Sequence, residues 1–448
     1  MRRIPDASPR GRAITVDLEG EAVPAVEGEP VACSLLAAGE DVLARSIKYH
    51  RPRGAFCFAA ACSHCLMRVD GLPNVYTCRT PARAGMRLER QNAFPSAKID
   101  LFGTIDWFFP RGLDHHEMFA GVPVAEQVMA KVARQLAGLG LLPPHEAPAR
   151  LPARILRIRV AVVGGGAAGL AAAKVLSERG VPFLLLERDE RVGGRLTRGA
   201  PLPDDPAVPE VASLPKGSVL TRTHAIGLYD DEGGRFLAAV AQEPEGLRFL
   251  QIHADRILLA PGGHPGLLPF ENNDLPGVYA GRAASMLLRE HDVAPKAAAL
   301  VGWGPELHAL ARLLETHRTK VTAVVDLRGP LPGGAHSTAC VGSEPKAHGL
   351  KRVGSFSFTR ENGKRKKVDC DAVLVSIPPS PSFELARQGG ATVNFDAERG
   401  LFAVQAEANG STAAPDLFVA GDITGGGTAR EAAAAGARAA EALIGGLS

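Results

Sequence analysis

Four cysteines near the N-terminus have a spacing that suits a metal cluster. They follow the pattern C-x4-C-x2-C-x12-C, at Cys57, Cys62, Cys65 and Cys78. A 2Fe–2S cluster needs four thiolates, and the first two gaps are those of plant-type ferredoxins. A structural zinc site, which usually uses two closely spaced cysteine pairs, and unrelated buried thiols are the alternatives. The spacing favours the 2Fe–2S cluster, with three ligands on a loop of small residues and the fourth on the next strand.

A glycine-rich turn further along the chain can bind the pyrophosphate of a dinucleotide. Val163 ends an apolar run that predicts a buried strand, and the pattern G-x-G-x-x-G follows at once. The glycines permit a tight turn and close approach of the backbone to the phosphates, while the helix N-terminus supplies N–H groups to the anion. The predicted phosphate-binding residues are Gly164, Gly166, Ala167, Ala168 and Gly169.

The segments that follow this turn fit the same interpretation. A helix is predicted over 170–179, and the next strand, 183–186, ends in Glu187 with Arg188 beside it. An acid about 20 residues beyond the glycines is placed to bind a ribose hydroxyl. A second glycine turn at Gly194 and Arg195 comes next, as flavin enzymes of this type often have beside FAD. Strand, helix and acid in register therefore predict an FAD site.

A Gly-Asp pair near the C-terminus is expected at the other end of this site. Gly421 and Asp422 end a predicted strand, and an alanine-rich helix is predicted over 429–443. In flavoproteins with two dinucleotide domains, such an aspartate holds the ribityl chain of FAD. The alternative is that Asp422 only caps a helix, which is a common role for aspartate.

A second, poorer nucleotide signature lies between these two segments. Gly302 and Gly304 follow a predicted strand and open a helix, and the next strand ends at Asp326. An acid at that position prefers NAD to NADP, although Arg328 complicates the preference. Because the third glycine is replaced and Trp303 is large, two hypotheses stay open: an NAD(H) site, or a retained fold without its ligand.

Other candidate residues are weaker. The sequence His115-His116-Glu117 places its members side by side, whereas a zinc helix spaces them by one turn. His64 needs no role, and the isolated thiols Cys33, Cys340 and Cys370 are expected to be ordinary buried residues. No C-x-x-C follows the first glycine turn, so a redox-active disulfide is not expected. No nucleophile or acid–base pair stands out, and the catalytic residues stay unknown.

Composition limits the function classes. The chain has 448 residues, 46% of them hydrophobic, and a net charge of only +3 with scattered Lys and Arg, so nucleic acid is not an expected partner. No charge-free apolar run reaches the length of a membrane span. The N-terminus lacks the apolar segment of a secretory signal, and seven cysteines are no disulfide scaffold in so long a chain. We therefore expect a cytoplasmic protein without a membrane span.

The predicted fold is α/β, with an N-terminal β-grasp ferredoxin-like domain followed by two Rossmann-like dinucleotide-binding domains. Strands are expected at 13–18 and 21–26, and a helix at 31–43. Alternating apolar strands, glycine turns and helices beyond residue 153 are typical of parallel α/β domains. The expected domains are 1–100 for the cluster, 101–152 for a connector, 153–285 with 380–448 for FAD, and 286–379 for the NAD-like fold.

Several motifs resemble the α subunit of heterotetrameric sarcosine oxidase and its relatives, which include the large subunits of hydrogen cyanide synthase, opine oxidase and proline or hydroxyproline dehydrogenases. The most specific match is Ser46-Ile47-Lys48-Tyr49-His50-Arg51-Pro52-Arg53-Gly54. Supporting matches are 91–96, 257–263, where Gly262 joins the expected cofactor residues, and 275–278. The resemblance covers essentially the whole chain. It departs from the sarcosine oxidase α subunit in keeping all four cluster cysteines.

The resemblance implies an electron-transfer subunit of a heteromeric amine or imino-acid oxidase or dehydrogenase. The substrate would be oxidised in a partner β subunit of the amino-acid-oxidase type, in a hetero-oligomer with room for a small additional subunit and for FMN at an interface. In some such α subunits the first site carries NAD or another adenine nucleotide, and Gly164 and Glu187 do not decide the question. Because the aminomethyltransferase-like half is not in the sequence, formaldehyde transfer to folate is not expected. A self-sufficient NADH-dependent reductase and a nucleotide-binding scaffold are the rival hypotheses.

Overall fold

The structure is a computed structural model of the chain. It describes residues 1–5, 10–46, 49–93, 96–97, 99–100, 150–209, 211–329 and 335–447, with five positions between 124 and 131. Most of the predicted connector, including His115-His116-Glu117, lies outside the described residues. The chain forms two compact units, Met1–His145 with Pro265–Ile377 and Glu146–His264 with Pro378–Ser448.

The N-terminal part of the first unit is a five-stranded sheet packed on one short helix, in strand order β3-β2-β8-β6-β7. The elements are β1 (Arg2–Arg3), β2 (Ala13–Leu18), β3 (Glu21–Val26), α1 (Val31–Ala37), β4 (Ala44–Arg45), β5 (Pro52–Arg53), β6 (Leu66–Val69), β7 (Leu72–Tyr76) and β8 (Arg87–Glu89). The predicted hairpin of β2 and β3 is confirmed as an antiparallel pair. Leu18, Leu35, Met67 and Leu88 are among the fully buried side chains, so the alternating strands and α1 share one core.

Helix α1 is shorter than the helix predicted over 31–43. It ends at Ala37 because Gly39 adopts a left-handed φ of 90°, and the N–H of Glu40 turns back to the carbonyl of Leu35 at 2.9 Å. This glycine-based end satisfies the last carbonyls of the helix. The apolar periodicity of the sequence predicted a helix that continues past Gly39, whereas the left-handed conformation of Gly39 ends it.

The second unit begins with a long strand that leads into the first glycine turn. Its elements up to residue 264 are β9 (Arg150–Val163), α2 (Ala167–Glu178), β10 (Phe183–Leu186), α3 (Arg195–Arg198), β11 (Val219–Leu220), β12 (Thr223–Asp231), β13 (Gly234–Glu243), β14 (Gly246–Leu259) and β15 (Gly263–His264). Strands β10, β9 and β14 are parallel neighbours. The strand predicted at 159–163 is the buried last part of β9, and the predicted strand at 183–186 is β10.

The first unit continues with a seven-stranded sheet, in strand order β16-β23-β18-β19-β20-β21-β22. Its elements are β16 (Val278–Ala280), α4 (Gly281–His291), β17 (Val293–Ala294), β18 (Ala297–Gly302), α5 (Pro305–Thr316), β19 (Lys320–Asp326), β20 (Ala339–His348), β21 (Ser355–Arg360), β22 (Arg365–Asp369) and β23 (Ala372–Ser376). As the sequence predicted, β18 ends at the glycine turn of Gly302 and Gly304, and β19 ends at Asp326. The parallel strands β23, β18 and β19 place their carboxyl ends at one edge of this sheet.

The C-terminal segment returns to the second unit. It forms β24 (Ser380–Pro381), α6 (Glu384–Gln388), β25 (Val393–Asp396), β26 (Leu401–Val404), β27 (Leu417–Val419) and α7 (Ala429–Gly445). Strand β27 joins β14 in parallel, and α7 packs on α2. Among the described residues, no helix combines the length and the apolar character needed to cross a membrane. The α/β architecture predicted from the sequence is confirmed.

Candidate functional site

The four cysteines of the N-terminal motif come together in the first unit. Cys57 contacts Cys62 and Cys78 through sulfur hydrogen bonds, and Cys65 contacts Cys78. These bonds lower the pKa of Cys57 and of Cys65, which accept them, and raise the pKa of Cys62 and Cys78, which donate them. Iron binds the thiolate form and releases such protons. The contacts thus link the sulfurs in one chain, in the order Cys62, Cys57, Cys78 and Cys65.

The loop around Cys57 turns its backbone toward the sulfurs, as the small residues predicted. The N–H of Ala59 donates to Cys57 Sγ at 3.4 Å, and the backbone of Ala60 donates to Cys78. Phe58 and Ala60 have left-handed φ angles of 49° and 53°, which bend the loop around the site. N–H···S bonds of this kind stabilise thiolates and tune the potential of a cluster.

The position of Cys78 differs from the prediction. The fourth ligand was expected on the strand after Cys65, but Cys78 follows the complete hairpin of β6 and β7. Leu66 and Tyr76 are paired at the base of that hairpin. The hairpin therefore brings Cys65 and Cys78 side by side, because the chain leaves from one end of it and returns to the same end.

The spread of the sulfurs suits two irons better than one zinc ion. Among the described residues, the one set of three His, Cys, Asp or Glu donors with all atoms within 4.8 Å of one another is Glu29, Cys33 and His291. No three cluster sulfurs meet that limit, whereas thiolates around a single tetrahedral zinc would lie about 3.8 Å apart. Four sulfurs that are linked to one another but do not converge on one point fit a 2Fe–2S cluster, which takes two thiolates on each iron.

The set of Glu29, Cys33 and His291 is an ion-pair network, not a metal site. Arg3 donates to both oxygens of Glu29, at 3.2 and 2.9 Å, and the hydroxyl of Ser34 donates to the same carboxylate at 2.5 Å. Burial raises the pKa of the Cys33 thiol well above its usual range. The carboxylate is already neutralised and the thiol is protonated, so the donors are not available to a cation.

The first glycine turn has the close packing that a phosphate-binding turn needs. Gly164 has a φ of 100°, and a Cβ there would lie 2.2 Å from the carbonyl oxygen of Ala260. A Cβ on Gly169 would lie 1.9 Å from the carbonyl oxygen of Gly164, so α2 packs directly on the turn. By contrast, open space surrounds the Cβ position of Gly166, which is the N-cap of α2. The backbone is therefore accessible where a pyrophosphate would approach the helix N-terminus.

The other expected FAD residues converge on the start of α2. A Cβ on Gly194 would lie 3.4 Å from the Cα of Gly166, and one on Gly421 would lie 3.2 Å from the Cβ of Ala168. Asp422 begins a short 3-10 turn, Asp422–Thr424. The N-cap of α7 is instead Thr428, which forms a capping box with Glu431. Asp422 is therefore not the cap of α7, and the alternative reading of this residue is wrong for that helix.

The acid and the two arginines lie around the same turn. Glu187 is buried, and its oxygens accept hydrogen bonds from the N–H groups of Gly165 and Asp189, each at 2.8 Å. Arg188 lines a cavity of about 410 Å³ next to Glu187. Arg195, at the start of α3, is paired with Asp205. The guanidinium of Arg195 is thus neutralised within the chain, while Glu187 and Arg188 lie at the cavity.

Several cavity-lining residues were not predicted from the sequence. The cavity extends from Gly164 to side chains that no motif marks, namely Thr223, His224, His264 and Gln388. Gly262, which was predicted, has open space at its Cβ position and a φ of 76°. The N–H of Thr223 donates to the carbonyl of Glu187 at 2.9 Å, which places β12 beside the acid. Only the pairing of distant strands brings these residues to the turn.

Comparisons with known proteins agree with both halves of the chain. Residues 11–93 match the family described as a 2Fe-2S iron-sulfur cluster binding domain, and residues 158–439 match the family described as pyridine nucleotide-disulphide oxidoreductase. The chain is 28% identical over 467 residues to sarcosine oxidase subunit alpha of Rhizobium meliloti (strain 1021), an alignment of 97% of this chain and 46% of that one. The chain thus spans about half the length of that relative.

Two further relatives add detail. Hydrogen cyanide synthase subunit HcnA of Pseudomonas aeruginosa is 39% identical over 93 residues, which cover 20% of this chain and 88% of that subunit. The crystal structure of L-proline dehydrogenase from P. horikoshii superposes with a TM-score of 0.70 at 20% identity, over 99% of this chain and 76% of that one. The former supports the cluster-binding segment, and the latter shows a shared fold.

Proposed function

Because the chain belongs to the pyridine nucleotide-disulphide oxidoreductase family and also carries a 2Fe–2S cluster-binding domain, we propose that it is the electron-transfer subunit of a heteromeric flavin-dependent amine or imino-acid oxidase or dehydrogenase. The observation that carries this proposal is that one chain contains both a cluster of four cysteines and a glycine turn of the dinucleotide-binding type. Cys57, Cys62, Cys65 and Cys78 are gathered in the first unit, and the glycine turn with Glu187 is formed in the second.

The residues of each site would hold a cofactor of matching chemistry. A flavin accepts two electrons from an organic donor and a 2Fe–2S cluster carries one, so together they convert hydride chemistry to single-electron transfer. The four cysteines would bind the two irons, and the N–H groups of the loop would stabilise the thiolates. The turn from Gly164 to Gly169 would bind the pyrophosphate. Gly194 and Gly421, which have no side chains, would lie beside it at the start of α2.

FAD is the proposed ligand of the first dinucleotide site. Asp422 lies beyond Gly421, and Gly421 packs against Ala168 at the start of α2, which is consistent with a ligand that continues past the pyrophosphate. NAD would also extend past the pyrophosphate, with a nicotinamide riboside in place of the ribityl chain, whereas an adenine mononucleotide would need only the half of the site around Glu187. Extraction of the bound nucleotide from the purified chain, followed by mass spectrometry, distinguishes these ligands.

A partner subunit is proposed to oxidise the substrate. The sequence offers no nucleophile or acid–base pair for that chemistry, and the relatives sarcosine oxidase and hydrogen cyanide synthase are named as subunits. The partner we propose is a flavoprotein of the amino-acid-oxidase type, with a small additional subunit and FMN at an interface as further components. The electrons would then enter this chain from the partner.

The relay is tested by removing one cluster ligand from the complete complex. In Cys62→Ser we expect loss of the cluster signal in electron paramagnetic resonance, and substrate oxidation with the natural acceptor slowed by at least tenfold. The control is Cys340→Ser, a half-buried thiol outside the cluster, which should keep both. Full turnover in a Cys62→Ser complex that lacks the cluster would show that electrons do not pass through it.

A further inference from the structure

The first turn, Gly164–Gly169, and the turn of Gly302 and Gly304, here called the second turn, can be compared position by position. In the first turn, Gly165 lies between the two glycines of the G-x-G pattern and donates its N–H to Glu187 Oε2 at 2.8 Å. A Cβ at Gly165 would lie 3.0 Å from that same oxygen and 2.9 Å from Val192 Cγ1. This position therefore faces the acid, and the first turn leaves no room there for a side chain.

The corresponding position of the second turn holds an indole. The backbone N–H of Trp303 donates to the carbonyl oxygen of Ser376 at 3.0 Å and not to the acid. The guanidinium of Arg328 stacks on the Trp303 ring, 4.2 Å from its centroid. The pair joins the loops that follow β18 and β19, across the crevice where a Rossmann fold binds its dinucleotide.

The acid of the second turn is engaged by a buried histidine. Asp326 is 1% exposed; its Oδ2 lies 3.2 Å from Nε2 of His308, and its Oδ1 accepts the N–H of Arg328 at 2.9 Å. His308 Nδ1 accepts the N–H of His336 at 3.3 Å. Since Nδ1 accepts, Nε2 carries the proton, and a neutral imidazole donates to Asp326. The carboxylate that would bind a ribose is thus almost fully buried against a side chain, whereas Glu187 of the first turn accepts only backbone N–H groups and lines a cavity.

The surroundings of the second turn therefore do not fit a pyridine dinucleotide. Trp303 and Arg328 occupy the crevice, and Asp326 faces His308. We propose that this Rossmann-like domain binds neither NAD(H) nor NADP(H) and serves instead as a structural scaffold that holds the 2Fe–2S domain in place. This inference is independent of the proposed substrate and of the partner subunit.

The cluster loop is attached directly to this domain. The carbonyl of Phe56, the residue before the ligand Cys57, accepts the N–H of Ala280 at 3.1 Å. Ala280 is the N-cap of α4. A Cβ on Gly54 would lie 3.1 Å from the Cα of Pro276, so the backbones are in direct contact. These contacts fix the backbone on the N-terminal side of the first cluster ligand.

Ion pairs and a strand pairing strengthen the attachment. Arg53 Nη1 donates to Asp274 Oδ2 at 2.9 Å, and both side chains are about one-fifth exposed (22% and 20%). At the N-terminus, β1 pairs in an antiparallel manner with β17. The N–H of Ile4 continues this pairing to the carbonyl of Asp292 at 2.8 Å. The 2Fe–2S domain is thus held to the Rossmann-like domain at the cluster loop and again at the start of the chain.

The absence of a second nucleotide site is tested by titrating the purified full chain with NADH and with NADPH. The fluorescence of the nucleotide reports binding. We compare the wild type with Arg328→Glu, which would repel phosphates at the second turn, and with Arg318→Glu, an exposed control on the loop before β19. We expect either no binding at millimolar nucleotide or binding that all three proteins share. Saturable binding that Arg328→Glu weakens at least tenfold and Arg318→Glu leaves unchanged would overturn the proposal.

The scaffold role of the Rossmann-like domain is tested by reversing the ion pair between Arg53 and Asp274. Hydrogen exchange of peptides that cover 54–65 and 278–285, and the rate of iron release to a chelator, are measured in the full chain. We expect Asp274→Arg to accelerate both several-fold, and Arg53→Asp combined with Asp274→Arg to restore them toward wild type. The control is Arg12→Ala, which breaks an exposed ion pair of the same domain. Unchanged hydrogen exchange and an unchanged rate of iron release in Asp274→Arg would contradict the proposed scaffold role.

Discussion

Gly165 donates its backbone N–H to Glu187 Oε2 at 2.8 Å, so the acid at the end of β10 is held by the turn that it serves. The other oxygen of Glu187 accepts the N–H of Asp189 at 2.8 Å. A carboxylate oxygen has two acceptor sites, and each oxygen of Glu187 therefore keeps capacity for a ribose hydroxyl. The same side chain fixes the loop and presents itself to a ligand.

Glu187→Gln should weaken retention of the dinucleotide by at least tenfold, since one charge-assisted hydrogen bond is worth about 1.5–3 kcal/mol. The amide keeps one acceptor for the turn but loses the charge and the second acceptor. The ratio of nucleotide to protein after gel filtration measures the effect. Glu190→Gln, an exposed acid in the following loop, is the control, and equal retention in both variants would mean that Glu187 does not contact the ligand.

Gly169→Ala should abolish dinucleotide binding, because its Cβ would lie 1.9 Å from the carbonyl oxygen of Gly164. Relief of that clash requires α2 to move away from the turn, and the N-terminus of the helix moves with it. The matched control is Gly445→Ala in α7, where nothing lies within 4 Å of the added atom. Nucleotide content and the near-ultraviolet circular dichroism spectrum report the change; wild-type nucleotide content in Gly169→Ala would contradict it.

The sequence predicted those parts of the site that depend on local spacing. The strand, turn and helix around Gly164 are set by neighbouring residues, and the hairpin of β2 and β3 by strict alternation. The cysteine spacing indicated a shared site, although it could not show that a whole hairpin separates Cys65 from Cys78. Each of these features is encoded within about 20 residues, which is the range that pattern reasoning covers.

Features that depend on distant contacts could not be predicted. Trp303 was recognised as too large for its turn, but its contact with Arg328 and the engagement of Asp326 by His308 require the packing of α5 on the sheet. The contact between Phe56 and Ala280 joins segments more than 200 residues apart. Composition and periodicity carry no signal for such contacts, because they arise only when separate elements of the chain pack together.

Thiol reactivity should separate the seven cysteines into classes. Burial raises the pKa of Cys33 well above its usual range and that of Cys370 to about 12, so both should resist alkylation in the native chain. Cys340 is half-buried and should react first. Removal of iron with a chelator should add Cys62, the half-buried cluster cysteine, to the labelled set. Peptide mass spectrometry after iodoacetamide treatment checks the order, and labelling of Cys62 before iron removal would contradict its role as a ligand.

Arg3→Ala should destabilise the first unit by about 3 kcal/mol, because it leaves the buried carboxylate of Glu29 without its cation. Glu29 is only 5% exposed and also accepts the hydroxyl of Ser34. Urea unfolding followed by loss of cluster absorbance measures the effect. Arg12→Ala removes an arginine from an exposed pair with Glu27 and should leave the midpoint unchanged. Equal midpoints in the two variants would show that the pair of Arg3 and Glu29 does not stabilise the unit.

His291 should make the first unit less stable in mild acid. Burial is the largest influence and lowers the pKa of His291, against the opposing charges of Glu29 and Glu290; Arg3 and Arg10 lower it further. The unfolded chain, with a histidine pKa of about 6.5, therefore binds the proton first, so the stability is present above that pH and is lost as the pH falls toward the folded pKa.

His291→Gln removes this titration while keeping a hydrogen-bonding side chain beside Glu29, whose Oε1 lies 3.5 Å from His291 Nδ1. The free energy of unfolding of the wild type relative to His291→Gln should therefore fall as the pH is lowered from 7 to 5, by up to about 1.4 kcal/mol per pH unit. Taking the difference cancels the acid sensitivity of the cluster and of the carboxylates, which both proteins share. Denaturant unfolding at several pH values checks the slope, and parallel stability curves for the two proteins would show that His291 does not titrate differently on folding.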